Sequence, residues 1–173
     1  DDSESRGLGD VYKRQGLTNY TRPEWLPLTL SADKPDDMLA ELNALANDEI
    51  DAWIHAAAVL DYVVKSPAEG KLASQQGPLT VELIESSKHI LELKKKCSDA
   101  VRIGFKLETG IKQKELVRRA FSQLEYAEMT AVVANRLEDI NDDTKPRAYL
   151  VDSTGADYTL QTMLDVCVAI TTI

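Results

Sequence analysis

The chain has almost none of the residues from which sulfur-based redox or metal centres are built. Its two cysteines, Cys97 and Cys167, lie far apart, with neither a Cys-x-x-Cys spacing nor a histidine cluster beside them, which argues against a four-ligand zinc site. Cys167, inside MLDVCVAI, reads as a small buried hydrophobe. Cys97 follows Lys94, Lys95 and Lys96 and reads as an inert surface thiol, because no base or acceptor accompanies it. Long apolar runs are also missing: none approaches the ~18 residues of a membrane span, and no charged-then-apolar leader is seen. No membrane partner is expected, and the cytoplasm is the expected location. Basic residues are too few for nucleic acid. Twenty Lys and Arg against 29 Asp and Glu leave a net charge of −9, whereas a phosphate backbone calls for basic surface. A single nucleotide needs only a local cluster of donors. Neither a GxGxxG fingerprint nor a Tyr-x-x-x-Lys pair occurs, Tyr62 failing that spacing, which argues against a Rossmann-type oxidoreductase. There is no internal repeat and no low-complexity tract.

What is present suits one globular domain. Hydrophobic residues make up 43% of 173 positions, enough for a sizeable core. Residues 26–30 read as a strand or extended segment, weakened by Pro23 and Pro27. Met38, Leu39, Leu42, Leu45 and Ala46 follow helical spacing behind Pro35, Asp36 and Asp37, a start signal. Residues 52–59 form an almost unbroken apolar run, the pattern of a parallel strand covered on both faces. Residues 79–84 alternate as a further strand. Ser86 or Ser87 can cap a helix reaching Lys96, whose lysines suit the negative end of its dipole. A strand over 101–106, an amphipathic helix over 112–126, a short buried strand over 131–134, a last strand over 147–151 and a helix from about Leu160 complete the pattern. Residues 136–147, RLEDINDDTKPR, read as a solvated connection; Asp139, Asp142 and Asp143 lack the spacing and terminal glutamate of an EF-hand. Strands alternating with helices indicate right-handed crossovers. The expected fold class is α/β, a Rossmann-like three-layer fold with a mostly parallel sheet.

The segment DAWIHAAAVLDYVVKSPAEGK, residues 51–71, joins a buried-strand pattern directly to a charged loop. Ligands of open α/β sheets bind outside the carboxyl ends of the strands. Ala56, Ala57 and Ala58 let a ligand approach the backbone, Asp61 stands just beyond them, and Lys71, delivered by a loop with Pro67 and Gly70, can neutralise a phosphate as a flexible point charge. The same residues have plainer uses: alanines allow close helix packing, and an aspartate after a strand caps a helix or forms a turn.

IHAAAVLDY, GKLAS, IGFKLETG at residues 103–110 and VVAN at residues 132–135, in this order, resemble phosphopantothenoylcysteine synthetase, also called phosphopantothenate–cysteine ligase or CoaB. The resemblance runs from about Asp51 to the C-terminus, and the GFK and GKLAS forms are closer to stand-alone ligases than to the bifunctional type. It implies a ligase that joins 4′-phosphopantothenate to cysteine. CTP or ATP activates the carboxylate as an acyl-nucleotide, with Mg2+ accompanying the triphosphate, and the cysteine amine then attacks. Such chemistry asks for fixed donors and cations around concentrated negative charge. The resemblance places His55, Ala56 and Ala57 on the nucleotide-contacting strand end, with Ala58 beside them. It matches Asp61 to the family's aspartate and Lys71 to the lysine of acyl-nucleotide formation. Ser87, Lys88, His89 and Ile90 fall on a helix start near the nucleotide, where exposed N–H groups hold an anion or a base edge. Phe105 corresponds to the GF aromatic and Asn135 to the AN pair. A homodimer is also implied.

The plainer readings stay beside these. His55 is otherwise a packed, hydrogen-bonded histidine, with only backbone contact implied; His89 is otherwise a surface residue and Phe105 simply core. Lys106 and Glu108 read as paired with solvent or each other. Where bifunctional relatives carry lysines on the helix before the AN strand, this chain has Gln123 and Ala127, and helical phase decides whether Arg118 and Arg119 substitute. Residues 1–15, DDSESRGLGDVYKRQ, have no hydrophobic period and resemble linker-derived sequence, non-native or disordered. Residues 16–173 read as a partial CoaB-like nucleotide-binding ligase domain without its first glycine-rich βα unit, since no GGT-type turn or Asn-x-Ser-Ser-Gly segment occurs. The alternative function is a non-catalytic nucleotide-binding or dimerisation module of the same fold.

Overall fold

The computed structural model describes residues 34–46, 50–67, 70 and 77–173. In chain order the elements are α1 (Pro35–Leu45), β1 (Ala52–His55), β2 (Tyr62–Val64), β3 (Leu83–Glu85), α2 (His89–Lys96), β4 (Val101–Glu108), α3 (Gln113–Ala127), β5 (Ala131–Arg136), a 3-10 turn (Leu137–Asp139), β6 (Ala148–Asp152), β7 (Asp157–Leu160) and α4 (Met163–Thr171). They fall into two compact units. One contains Ala58–His89 and the described residues up to Ala44; the other contains Leu45–Ala57 and Ile90–Ile173.

The larger unit is built on a five-stranded sheet of order β1-β4-β5-β6-β7. β1 pairs in parallel with β4 and β4 with β5, while β6 runs antiparallel to both β5 and β7. Four of the five strands therefore run the same way, as the alternating pattern predicts. Helices cover both faces. On one, Leu116, Ala120, Leu124 and Ala127 of α3, spaced by four, four and three, pack with Val132, Ala134, Tyr149 and Val151; this is the apolar stripe of a surface helix, each buried leucine contributing roughly 1.5–3 kcal/mol. On the other, Val166, Ala169 and Ile170 of α4 lie against Ile103, Ala131, Val133, Ala148 and Leu150. The result is a Rossmann-like three-layer α/β arrangement. Gly104 is required at the first interface: a methyl group there would come within 2.5 Å of the Met129 sulfur.

The helix ends have local causes. Thr162 accepts a hydrogen bond from the Asp165 N–H (3.1 Å) while the Asp165 carboxylate accepts from the Thr162 N–H (2.8 Å), a reciprocal capping box that starts α4. α3 stops at Glu128, which takes the left-handed conformation at φ 49°, and the buried Arg102 donates to the carbonyls of Ala127 and Glu128, where a cation offsets the helix dipole. α1 begins as expected, with Pro35 in its first turn beside Asp36 and Asp37 and with Met38 and Leu42 buried one turn apart.

Several expectations need correction. The apolar run 52–59 is a strand only over Ala52–His55, and Ile54 is 53% exposed. Ala56, Ala57 and Ala58 have little strand propensity, and the exposed Ala52 and Ile54 show that the described residues do not cover β1 on both faces. Of residues 79–84, only Leu83 and Ile84 enter a strand, and that strand is outside the main sheet: β3 pairs antiparallel with β2 in a separate two-stranded ribbon. The strand expected at 147–151 is found, but it returns antiparallel because no helix separates it from β5. β7 was not foreseen. The cysteine readings are reversed. Cys97 is buried, since its N–H bonds to the Leu93 carbonyl and one helical turn places it on the inward side with that leucine; Cys167 is exposed, one residue out of phase with the buried Val166. Residues 26–30 lie outside the described residues.

Candidate functional site

The parallel strands β1, β4 and β5 all end on one edge of the sheet, at His55, Glu108 and Arg136. Register and alternation decide which side chains share a face there. Leu107 is level with Asn135 and Phe105 with Val133; since alternate residues share a face, Phe105, Leu107 and Asn135 lie on the α4 side. Phe105 is half-buried against the core there, while Leu107 is 53% exposed beside the half-buried Asn135. This edge offers apolar surface and one amide, suited to a flat ring with hydrogen-bonding edges. His55 is level with Gly104, so its side chain belongs to the opposite face, away from Phe105 and Asn135.

The α3 side of the same edge is charged. Glu108 meets Lys106 at 3.1 Å and Arg119 at 3.0 Å, and Glu115 meets Arg119 at 2.8 Å and Arg118 at 2.7 Å. The Arg118 hydrogen bonds, with Arg119 second, hold the Glu115 carboxyl down to about 2. Lys106 and Glu108 thus pair with each other, one of the two alternatives that the sequence left open. Arg118 and Arg119 are exposed and already matched to carboxylates, so an incoming phosphate would have to exchange with Glu115 or Glu108. Gln123 donates instead to the Phe105 carbonyl (3.4 Å), and Ala127 is buried core.

Next to this edge lies a set of contacts the sequence reading missed. The Asp139 carboxylate accepts from Arg136 through Nε and Nη2, both at 2.6 Å, and Arg136 Nη1 donates to the Ile111 carbonyl (3.3 Å). Glu138 accepts from the Gly110 N–H (2.9 Å), and Arg147 donates to the Ile140 carbonyl (2.6 Å). Residues 136–147 are therefore not simply a solvated connection: Asp139 is buried, and the segment is tied to the loop before α3. The i,i+3 spacing of Arg136 and Asp139 in RLED was the available signal.

In the smaller unit the structure joins two of the expected residues, the Lys88 ammonium to the Asp61 carboxylate, and the Ser86 N–H donates to the Asp61 carbonyl (2.9 Å). Ser87 is exposed, but His89 is only 2% exposed and is not the surface residue of the plainer reading. Burial lowers its pKa against the opposing influence of the Pro35 backbone and the Asp36 carboxylate; a buried, neutral imidazole brings no cation to an anionic ligand. Ile90, in the larger unit, leans on the α3-side core. Ala56 and Ala58 are exposed and Ala57 half-buried in the irregular stretch after β1. Lys71 lies outside the described residues. A cavity of about 490 Å³ is bordered by Val64, Pro67, Leu79 and Val81, with Lys65 and Glu82 paired at 2.7 Å; among the described residues it touches none of those expected at the site.

The family profile described as the DNA/pantothenate metabolism flavoprotein C-terminal domain matches residues 15–171. The chain belongs to this family. Two curated relatives of this flavoprotein C-terminal domain are the coenzyme A biosynthesis bifunctional proteins CoaBC of Thermococcus kodakarensis and Methanocaldococcus jannaschii. The first is 34% identical over 122 residues, covering 70% of this chain and 30% of that protein; the second is 38% identical over 101 residues, covering 58% and 24%. The chain thus spans less than a third of the length of either. Both are bifunctional, whereas the GFK and GKLAS forms led to the expectation of a stand-alone ligase. Among solved structures, the DNA/pantothenate metabolism flavoprotein from Streptococcus pneumoniae superposes with a TM-score of 0.68 at 20% identity, covering 88% of this chain and 76% of that one. The C-terminal domain of a CoaBC gives 0.63 at 19%, covering 88% and 66%. A Cab2 mutant in complex with phosphopantothenate-cysteine gives 0.59 at 20%, covering 76% and 46%. At these identities the likeness is one of fold.

Proposed function

We propose that the chain supplies part of a phosphopantothenate–cysteine ligase of coenzyme A biosynthesis. The observation that carries this reading is the 34% identity to a CoaBC over 122 residues, in a chain whose parallel strands end on one edge with Phe105 and Asn135 on a common face. In the proposed reaction a carboxylate oxygen of 4′-phosphopantothenate attacks the α-phosphorus of CTP or ATP, and the bond to pyrophosphate breaks. The cysteine amine then attacks the acyl carbon, the nucleoside monophosphate leaves and the amine proton is lost. Phe105 and the backbone at His55, Ala56 and Ala57 would receive the nucleotide, Asn135 would hydrogen-bond the acyl oxygen, and Lys71 would neutralise the triphosphate. Asp61 carries a negative charge already matched by Lys88, so its release from that pair would accompany binding of a cation. Among the described residues no group of three or more His, Cys, Asp or Glu could hold a metal ion; magnesium fits this chain as an ion carried in on the triphosphate, keeping most of its waters.

A homodimer belongs to the same reading. Tyr62, Val64, Leu79, Val81, Leu83 and Ile84 are all 43% exposed or more, and a two-stranded ribbon showing this much apolar surface is marginal in water. No helix of the described residues is long and apolar enough to cross a membrane.

The test is pyrophosphate release with 4′-phosphopantothenate, cysteine, Mg2+ and either CTP or ATP, together with mass detection of the ligated product. It is run on the chain as it stands and on the chain joined to the glycine-rich βα unit of a CoaBC relative, because the sequence contains no GGT-type turn. Turnover is expected only from the joined protein. No substrate-dependent pyrophosphate from either protein with either nucleotide would sink the ligase reading, and nucleotide binding without turnover would favour a non-catalytic binding module.

A further inference from the structure

The Arg136–Asp139 pair occupies an unusual place. Arg136 directly follows Asn135 in β5, and alternation sends the two side chains to opposite faces: Asn135 to the α4 side, Arg136 to the α3 side with Val132 and Ala134. There Arg136 reaches the Ile111 carbonyl, in the loop between β4 and α3, while its fork grips Asp139 at 2.6 Å on both nitrogens. One residue before Asp139, Glu138 takes the Gly110 N–H of that same loop at 2.9 Å. Two contacts from one short segment thus clamp the end of β5 to the end of β4.

The Arg136–Asp139 half of the clamp is largely withdrawn from water, whereas the Glu138–Gly110 contact is exposed. The Asp139 side chain is 7% exposed and that of Arg136 22%, so the pair is not an ordinary surface ion pair of little consequence. Buried ion pairs add little net stability compared with apolar replacements, and in some proteins they fix geometry instead. In this chain the geometry being fixed is the carboxyl end of β5, where the Asn135 amide emerges.

We propose that Arg136 and Asp139 are positioning residues: by locking the end of β5 to the loop before α3, they set the location and direction of the Asn135 side chain at the sheet edge. The catalytic consequence rests on the ligase reading given above; the geometric one does not. A displacement of about 1 Å at a reacting group can cost about a hundredfold in rate.

Asp139→Asn and the double replacement Arg136→Met with Asp139→Leu test this together. The double variant removes both charges, so it should regain most of the melting temperature lost by the single one. On the chain itself, amide exchange at Gly110 and the side-chain NMR signals of Asn135 report the clamp without reference to any activity. Faster Gly110 exchange, by tenfold or more, and shifted Asn135 signals are expected in both variants. In the joined, turnover-competent protein, kcat should fall by up to about a hundredfold with KM within about threefold, and the double variant should keep this defect despite its recovered melting temperature. Unmoved Asn135 signals would overturn the geometric proposal. Wild-type kcat in a re-stabilised double variant would overturn the catalytic one, leaving the pair a structural contact. Should the wild type show no turnover at all, the ligase reading fails while the NMR result still decides whether the clamp sets Asn135.

Discussion

Glu115 is the side chain whose charge the structure perturbs most legibly. Hydrogen bonds from Arg118 and then Arg119 hold its carboxyl at about 2, below an ordinary glutamate near 4.3. A depressed carboxylate contributes stability above its unfolded pKa and loses it as pH falls through the folded value. Its contribution to the first turns of α3 is therefore expected to fade only between about pH 4.3 and pH 2. A side-chain carboxyl NMR titration should place the Glu115 midpoint near 2, and Arg118→Ala should move it upward; an unchanged midpoint would mean the arginine contacts do not persist in solution. Lys71 gives the second residue-scale prediction, made from its place in a Pro/Gly-bearing sequence. A surface substitution usually alters stability by within about 0.5 kcal/mol, whereas one lost charge contact at a developing transition state costs ~3 kcal/mol, about a hundredfold in rate. Lys71→Gln in the joined protein should keep its melting temperature and lose single-turnover acyl-nucleotide formation. Unimpaired activation would withdraw the lysine from the site.

At the scale of elements, α4 shows how much a cap can matter. Its inward face is short, with Val166 buried and Ala169 and Ile170 half-buried, so the Thr162–Asp165 box carries much of its definition. Thr162→Ala should cost about 1 kcal/mol, seen as a shift in urea midpoint without change of slope; a null effect would mean packing alone sets the helix start. The elements that were legible in the sequence are those whose apolar period matched their burial. Leu116, Ala120 and Leu124 announced α3, and Val132 and Val133 the buried centre of β5. Where the reading slipped, tertiary partners decided. An apolar run at 52–59 cannot say that its ladder ends at His55, and Leu79, Val81 and Leu83 alternate like a half-buried strand although all three are exposed. The site divided the same way. The motifs pointed to the strand ends and left Lys106 and Glu108 paired with solvent or with each other; the Lys88–Asp61 contact joins residues through folding that no local pattern records, whereas the Arg136–Asp139 pair had its i,i+3 spacing as a signal that went unread.

For the whole molecule, charge and the proposed dimer oppose each other. Each copy carries −9, so association must overcome like-charge repulsion that salt screens within about 8–10 Å at 0.1–0.15 M. Sedimentation equilibrium should show the dimer tightening as salt rises from low ionic strength. Leu83→Glu, on a side chain 55% exposed in the single chain, should yield monomers with little loss of melting temperature; a persistent dimer would move the interface away from the ribbon. The pairing of β1 has a separate consequence, in the order of assembly. β5, β6 and β7 are joined by short connections, whereas β1 can meet β4 only after the chain from His55 to Val101 has looped back. Long closures are entropically expensive and slow, so β1 should be the last strand to join during folding and the first to leave on partial opening. Its amides should exchange well before those of Val132 and Val151. The ribbon and the Asp61–Lys88 pair lie within that same stretch, so any ligand or partner that shortens the stretch by ordering it would speed the closing of the sheet without touching a single strand of it.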